Sequence, residues 1–259
     1  MEQNLGQIIH KLAERVGLIL CLGLLWWVAV KLADFPPYLL PDPLRVMNSL
    51  YANAGLLSYH GAVTFGEMIA GLMLGASIAI IMALLLVMVP WLARFALPVF
   101  IGSQALPVFA LAPLLTLWFG FGYGSKIVMA SLIIYFPIIR SFYDGLMQTK
   151  PQHLQAATSL GATPFALMWA VRIPAALPQL ASGLKIAASV TPIGVIVGEW
   201  VGGSKGLGFL MLHANGKMQT DLMFASLIII LCLGLGLHHF IIKLCNHLPL
   251  LFRKLFDMV

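Results

Sequence analysis

At 259 residues the chain has room for one or two soluble domains, but 61% of it is hydrophobic and only 9% is charged. A soluble domain carries roughly 25% charged residues, so this composition indicates an integral membrane protein instead. The net charge of +6 then reads as a topology signal, and no nucleic-acid partner is expected. Cys21, Cys232 and Cys245 fall in or beside apolar stretches without zinc spacing, and give no disulfide framework.

In chain order, residues 1–15 are polar and mildly amphipathic, with Lys11 and Arg15 just ahead of the first apolar run. That run, Val16 to Ala33, is about 18 residues long, near the minimum for a hydrocarbon core of ~30 Å. A cleaved signal peptide is disfavoured, because Trp26-Trp27 and Lys31 follow with no small-x-small site. PPYLLPDP (Pro36 to Pro43) is stiff and proline-rich, and a helical stretch follows over Leu44 to Leu57. Such a segment cannot cross lipid, so 34–60 is expected as an extramembrane loop. Further apolar runs cover Thr64 to Val89, Phe95 to Trp118, Ile127 to Phe142, Leu177 to Val197 and Leu222 to Leu244, which with the first makes six expected spans.

The positive charges set an orientation. With both termini inside, Lys11, Arg15, Arg94, Arg140, Lys150, Arg172, Lys243, Arg253 and Lys254 are cytoplasmic. Lys31, Arg45, Lys126, Lys205 and Lys217 are left outside, and Lys185 lies within a span. The excess on the first set follows the positive-inside rule. It puts 34–60 and 201–219 outside and 150–174 in the cytoplasm.

The 150–174 segment is neither a membrane span nor rich in strand formers. Lys150-Pro151 interrupts what precedes, since proline disfavours the helical region for the residue before it. His153, Leu154, Ala156, Ala157 and Leu160 then give a short amphipathic helix ending at Gly161, the residue that leaves a helix at least steric cost. Thr163-Pro164 reads as an N-cap with proline at the first helical position, so a second short helix follows and ends by Pro174.

Gln155-Ala156-Ala157, three residues, Gly161, nine residues, then Val171-Arg172-Ile173-Pro174 resembles the EAA loop of binding-protein-dependent ABC importer permeases. Gln155 stands where a glutamate is usual, which removes a charge but leaves the shape of the knob. The resemblance implies that Gln155, Ala156, Ala157, Gly161 and Pro174 dock on a separate ATP-binding subunit and pass its motion to the spans. The alternative is a helical hairpin that packs only on its own chain. PPYLLPDP, Thr64-Phe65-x-Glu67 with Gly71 and Gly75, Ala112-Pro113-Leu114 through Trp118-Phe119-Gly120, and Gly198-Glu199-Trp200 through Gly206-Leu207-Gly208 are similar to the sulfonate, taurine and nitrate group of that family. In that group an arginine commonly stands at the position of Glu67.

Other patterns carry less. The clusters Gly120 to Lys126 and Gly202 to Gly206 lack the order of a phosphate loop. His238 and His239 point about 100° apart on a helix and cannot face one metal together. Gly71 and Gly75 form a GxxxG, which suits close helix packing within the chain or between two copies.

Pro98, Pro107 and Pro113 fall in the third span and Pro192 in the fifth, each removing a helix hydrogen bond. In lipid this is tolerable where protein or a water-filled cavity supplies another partner. Ser103, Gln104, Pro107, Ser189, Thr191 and Pro192 are therefore candidates to line a pathway, with ordinary kinks in a packed bundle as the alternative. Glu199 ends the fifth span just before a glycine-rich turn. It can pair with Lys205 and fix an outer gate, meet a donor on a solute or binding protein, or sit solvated; the gate-fixing role is the expectation.

The reading is an all-α polytopic permease, residues 1–259 forming a single domain of about six spans in the bacterial inner membrane. The resemblance implies an ATP-binding subunit, an extracytoplasmic solute-binding protein, a second permease copy as a homodimer, and surrounding lipid. It implies no enzyme activity, cofactor or metal in this chain. Ser189-Val190-Thr191-Pro192-Ile193-Gly194 and Gly198-Glu199-Trp200-Val201-Gly202 look most like permeases for hydroxymethylpyrimidine, a thiamin precursor, with nitrate, sulfonate or taurine as the alternative. An ion-coupled secondary transporter is disfavoured by the absence of a visible repeat. A membrane enzyme is disfavoured because the histidines are scattered.

Overall fold

The computed structural model describes residues 2–33 and 36–256. Asp34 and Phe35, which open the expected outer loop, and the terminal residues Met1 and 257–259 lie outside them. The described residues form helices and connecting turns with no strand: α1 (Glu2–Ala33), α2 (Pro43–Ala52), α3 (Ala54–Met88), α4 (Pro90–Ser103), α5 (Val108–Phe119), α6 (Tyr123–Met147), α7 (Pro151–Ser159), α8 (Pro164–Leu167), a π-helical turn (Met168–Arg172), α9 (Ile173–Gly202), α10 (Leu207–Gly216) and α11 (Thr220–Phe256).

Four stretches are long and apolar enough to cross a membrane: Ala54–Met88, Tyr123–Met147, Pro164–Gly202 and Thr220–His247. A fifth is counted if α4 and α5 are one broken span; the apolar part of α1, Leu20–Ala33, is shorter. This corrects the third of the six expected spans. Phe95 to Trp118 is not one rod but two helices bent by 104°. The cause is local: Leu106 precedes Pro107 and is steered away from helical geometry, and Pro107 has no N–H to continue the ladder.

The chain divides into two compact units, Met1–Ser58 with Leu210–Ile228 and Tyr59–Phe209 with Ile229–Val259. In the first, Asp42 caps α2 by accepting from the Leu44 amide at 2.9 Å, with Pro43 opening the helix. The Thr220 hydroxyl donates to the Pro37 carbonyl at 2.8 Å, and Trp26 packs on Phe224 with ring centroids 5.6 Å apart.

In the second unit α6 is packed between α3 and α9. Buried Met68, Leu72 and Ala79 of α3 meet Ile134, Ile138 and Phe142 of α6 and Ala187, Ala188 and Val195 of α9 in one core. Lipid gives no hydrophobic drive for helices to associate, so close backbone approach through small residues carries the packing. A Cβ at Gly71 would stand 2.7 Å from the Ala130 Cβ, and one at Gly194 2.8 Å from the Ala130 Cα. Gly75 likewise abuts Ile134, so the GxxxG on α3 is spent on α6 within this chain.

Candidate functional site

Three features of the larger unit bear on function, and each grows from local sequence. The first is the loop between α6 and α9. Gly161 takes φ +82, the Gly161 amide donates to Thr158 O at 2.9 Å, and the Ala162 amide reaches back to Ala157 O at 3.0 Å. That is a glycine C-cap closing α7. The Thr163 hydroxyl then accepts from the Ala166 amide at 3.3 Å and starts α8 with Pro164 at its first position. The expected stop at Pro174 is corrected: the helix runs on from α8 through the π turn into α9. Pro174 has no N–H to give, and the wider turn ahead of it, closed by Ile173 N to Met168 O, absorbs the misfit. α7 buries none of its residues, and Leu160 at its end is 89% exposed. Gln155 is exposed and Ala156 and Ala157 lie on the same short helix.

The second is the break between α4 and α5. The amides of Gln104, Ala105 and Leu106 each donate to the carbonyl three residues back, at 3.2, 3.0 and 3.2 Å, tightening the end of α4 before Pro107 precedes α5 as its N-cap residue. The Ser103 hydroxyl donates to Phe100 O and lies 2.8 Å from the Tyr135 hydroxyl of α6. Gln104 is exposed. By contrast, Thr191 is fully buried and its hydroxyl donates back to Ala187 O. The Ser189 hydroxyl meets His238 Nδ1 of α11 at 3.0 Å, and Gly234 of α11 packs on the Pro192 ring. Ser103, Gln104 and Pro107 thus lie together at the break, while Ser189 and Pro192 meet α11 and Thr191 is bonded within α9.

The third is a buried polar cluster around the turn 203–208. On α3, His60, Thr64 and Glu67 stand at i, i+4 and i+7, one helical face. His60 Nδ1 accepts from the Gly206 amide at 3.0 Å and the Thr64 hydroxyl from the Leu207 amide at 2.7 Å. The Thr64 hydroxyl donates in turn to Glu199 Oε1 at 2.7 Å, and Glu199 Oε2 accepts from the Gly208 amide. Lys126 of α6 donates to Glu67 Oε1 at 2.8 Å and to the Lys205 carbonyl at 3.1 Å. The second Glu67 oxygen, Oε2, is buried without a hydrogen-bond partner.

The expected Glu199–Lys205 pair is not among the ion pairs of the described residues. Glu199 is wholly buried, while the Lys205 side chain is exposed, 5.8 Å above the Tyr59 ring. The Tyr59 hydroxyl beside it holds the Lys205 ammonium above its ordinary value. Glu199 holds the turn through Thr64 and Gly208 instead. Sequence reasoning missed His60 and Thr64 as ligands of the turn, Tyr135 beside the break, and above all Lys126, read there as an outer-surface charge. The one signal available was Glu67 itself: an acid within an apolar run needs a partner, and Lys126 stands at the head of a neighbouring run.

No group of three or more His, Cys, Asp or Glu able to hold a metal occurs among the described residues. As a class, the molecule is a multi-pass helical membrane protein with a sharply bent apolar helix pair and an exposed helix–glycine–helix loop. Residues 71–242 match the family of binding-protein-dependent transport system inner membrane components, and the chain belongs to that family. It is 49% identical over 86% of its length to a probable ABC transporter permease protein of Haemophilus influenzae, covering 90% of it. It is 33% identical over 87% of its length to the formylaminopyrimidine transport permease protein ThiX of Halalkalibacterium halodurans, covering 90% of that chain. To the riboflavin transport system permease protein RibX of Chloroflexus aurantiacus it is 33% identical over 85% of its length, covering 83%. The chain is therefore the permease subunit of an ABC importer, a transport protein rather than an enzyme, whose ATPase is a separate subunit and whose solute arrives on a binding protein.

Proposed function

We propose that this permease imports an amino-substituted pyrimidine of the hydroxymethylpyrimidine type, a thiamin precursor. The observation that carries the reading is similarity over 87% of the chain to a permease named for formylaminopyrimidine transport. Two copies of the chain, each acting as one permease domain over residues 1–259, enclose the pathway within the lipid bilayer. Both termini are cytoplasmic. The 152–174 knob, with Gln155, Ala156, Ala157, Gly161 and Pro174, is the contact with the ATPase; the exposed Leu160 and Phe165 give a partner something apolar to cover. At the other end, Glu199 fixes the turn that closes the outer side.

The test is uptake in a strain unable to make the thiamin pyrimidine. Deleting this chain is expected to abolish growth on hydroxymethylpyrimidine and restoring it to recover growth. Unimpaired growth of the deletion strain, with loss of taurine, sulfonate or nitrate uptake instead, overturns the substrate and leaves the permease assignment standing.

A further inference from the structure

The break between α4 and α5 exposes polar groups at a depth where lipid cannot satisfy them. Tyr135 lies twelve residues from either end of the 25-residue α6, so it marks the middle of that span. The Ser103–Tyr135 contact of 2.8 Å pins the end of α4 to the same level. From Arg94 to Gln104 is ten residues, about 15 Å of helix and so about half of a ~30 Å hydrocarbon core, which places the break at the same depth independently. Gln104 is exposed there, and its side-chain amide makes no hydrogen bond within the chain among the described residues. An unpaired amide beside non-helical backbone is tolerated at that depth where it faces a water-filled cavity or another protein surface.

The chemistry around it is neutral and aromatic. Phe100, one turn before Gln104, meets the Tyr135 ring edge-on at 6.0 Å between centroids. The cations that flank Tyr135 along α6 are already engaged, Lys126 by Glu67 and Arg140 by Asp144 at 2.9 Å. Neither of these two cations is free to meet an anionic solute at the break. A primary amide presents an acceptor and a donor side by side, the complement of a ring nitrogen next to an exocyclic amine.

We infer that Gln104 is a solute-contact residue halfway across the membrane, reading the amino-and-ring-nitrogen edge of a neutral aminopyrimidine, with Ser103 and Tyr135 as positioning residues. This rests on the proposed substrate class and assigns its recognition in the pathway to one side chain.

The experiment uses the full transporter in proteoliposomes, with saturating binding protein so that capture is not limiting. Turnover is measured for hydroxymethylpyrimidine and for its analogue lacking the exocyclic amine. The unsubstituted transporter is expected to move the amino form about tenfold faster, the worth of one good hydrogen bond. Gln104→Leu should bring the ratio near one, while crosslinking between the two permease copies and binding-protein-stimulated ATP hydrolysis persist. Gln104→Asn, which keeps the amide on a shorter stem, should retain part of the ratio and serves if the leucine variant fails to assemble. A ratio unchanged in both variants overturns the role of Gln104 alone. So does loss of the dimer with the ratio intact, which would make Gln104 a contact between copies. If the unsubstituted transporter moves taurine and neither pyrimidine, the substrate reading fails and the inference falls with it.

Discussion

Lys126 Nζ lies 2.8 Å from Glu67 Oε1, with the lysine side chain 4% exposed and the glutamate side chain wholly buried, and the same ammonium reaches the Lys205 carbonyl. One cation therefore neutralises an acid on α3 and anchors the turn that follows α9. The acid is on α3 and the base on α6. Taking two charges out of water is costly, so such a pair is weak evidence for net stability but strong evidence against tolerating the loss of one member.

Lys126→Met is accordingly expected to cost about 3–5 kcal/mol, the usual penalty for stranding a buried charge. Here it would strand Glu67 next to Glu199, an acid that is itself buried. Glu67→Gln should cost less, because the Lys205 carbonyl still receives Lys126. The double variant Glu67→Gln/Lys126→Met should be more stable than Lys126→Met alone. Thermal unfolding of the purified permease in one detergent checks the order of the three, and simple additivity would show that the pair is not coupled.

The sequence made the 152–174 loop readable and left the polar cluster hidden, for a physical reason. Gly161, Thr163 and Pro164 act on their own neighbours within four residues, so the cap, corner and restart of the helix were legible before any packing was known. Lys126 and Glu67 are 59 residues apart, and Thr64 and Glu199 are 135 apart. Their partners are fixed by how α3, α6 and α9 pack, which no local pattern encodes. The bend between α4 and α5 falls between these cases. Pro107 signalled an interruption, yet whether a proline kinks a rod or turns it by 104° depends on what receives the exposed backbone.

Gly206 offers a second test of the turn. It adopts φ +110, and a Cβ on it would fall onto the Glu199 carboxylate. Gly206→Ala is expected to lose about 2 kcal/mol or more, from an unfavourable backbone region together with the displaced acid. Gly216→Ala, where nothing lies within 4 Å, should be close to neutral. Equal thermal stability of the two variants would mean that the turn is not held as described.

Orientation is tested by labelling. Ser204 and Ser159 are both exposed, so accessibility within the chain does not separate them and the side of the membrane does. A membrane-impermeant thiol reagent applied from outside is expected to modify Ser204→Cys and spare Ser159→Cys, in a background with Cys21, Cys232 and Cys245 replaced. The reverse pattern would invert the orientation.

For Glu199 and Lys205, the geometry changes what a double substitution should show. A paired acid and base give non-additive losses, but Glu199 bonds Thr64 and Gly208 while Lys205 rests exposed over Tyr59. Glu199→Gln is expected to impair transport of any solute, since an amide cannot accept at both of its ends, and either the Thr64 hydroxyl or the Gly208 amide loses its acceptor. Lys205→Gln should change transport little, and the two effects should add. A double variant no worse than Glu199→Gln alone, combined with a large loss from Lys205→Gln, would restore the salt bridge that the geometry removes.

Gly161→Val isolates the proposed docking role of the 152–174 loop from the rest of the fold. Nothing lies within 4 Å of a Cβ at Gly161, so any harm comes from its backbone, at φ +82, and not from a clash. A β-branched residue is a strong outlier in that region, whereas asparagine visits it readily. Valine is therefore expected to cost about 1–2 kcal/mol at the corner or to force the corner open, misplacing α7 against its partner. Because α7 buries nothing in this chain, the permease should still insert and its melting temperature should move little, while ATP hydrolysis uncouples from transport. Gly161→Asn should restore most of the coupled rate. Native transport by the valine variant would remove the docking role from this loop. A permease that no longer inserts would show instead that the corner serves the fold.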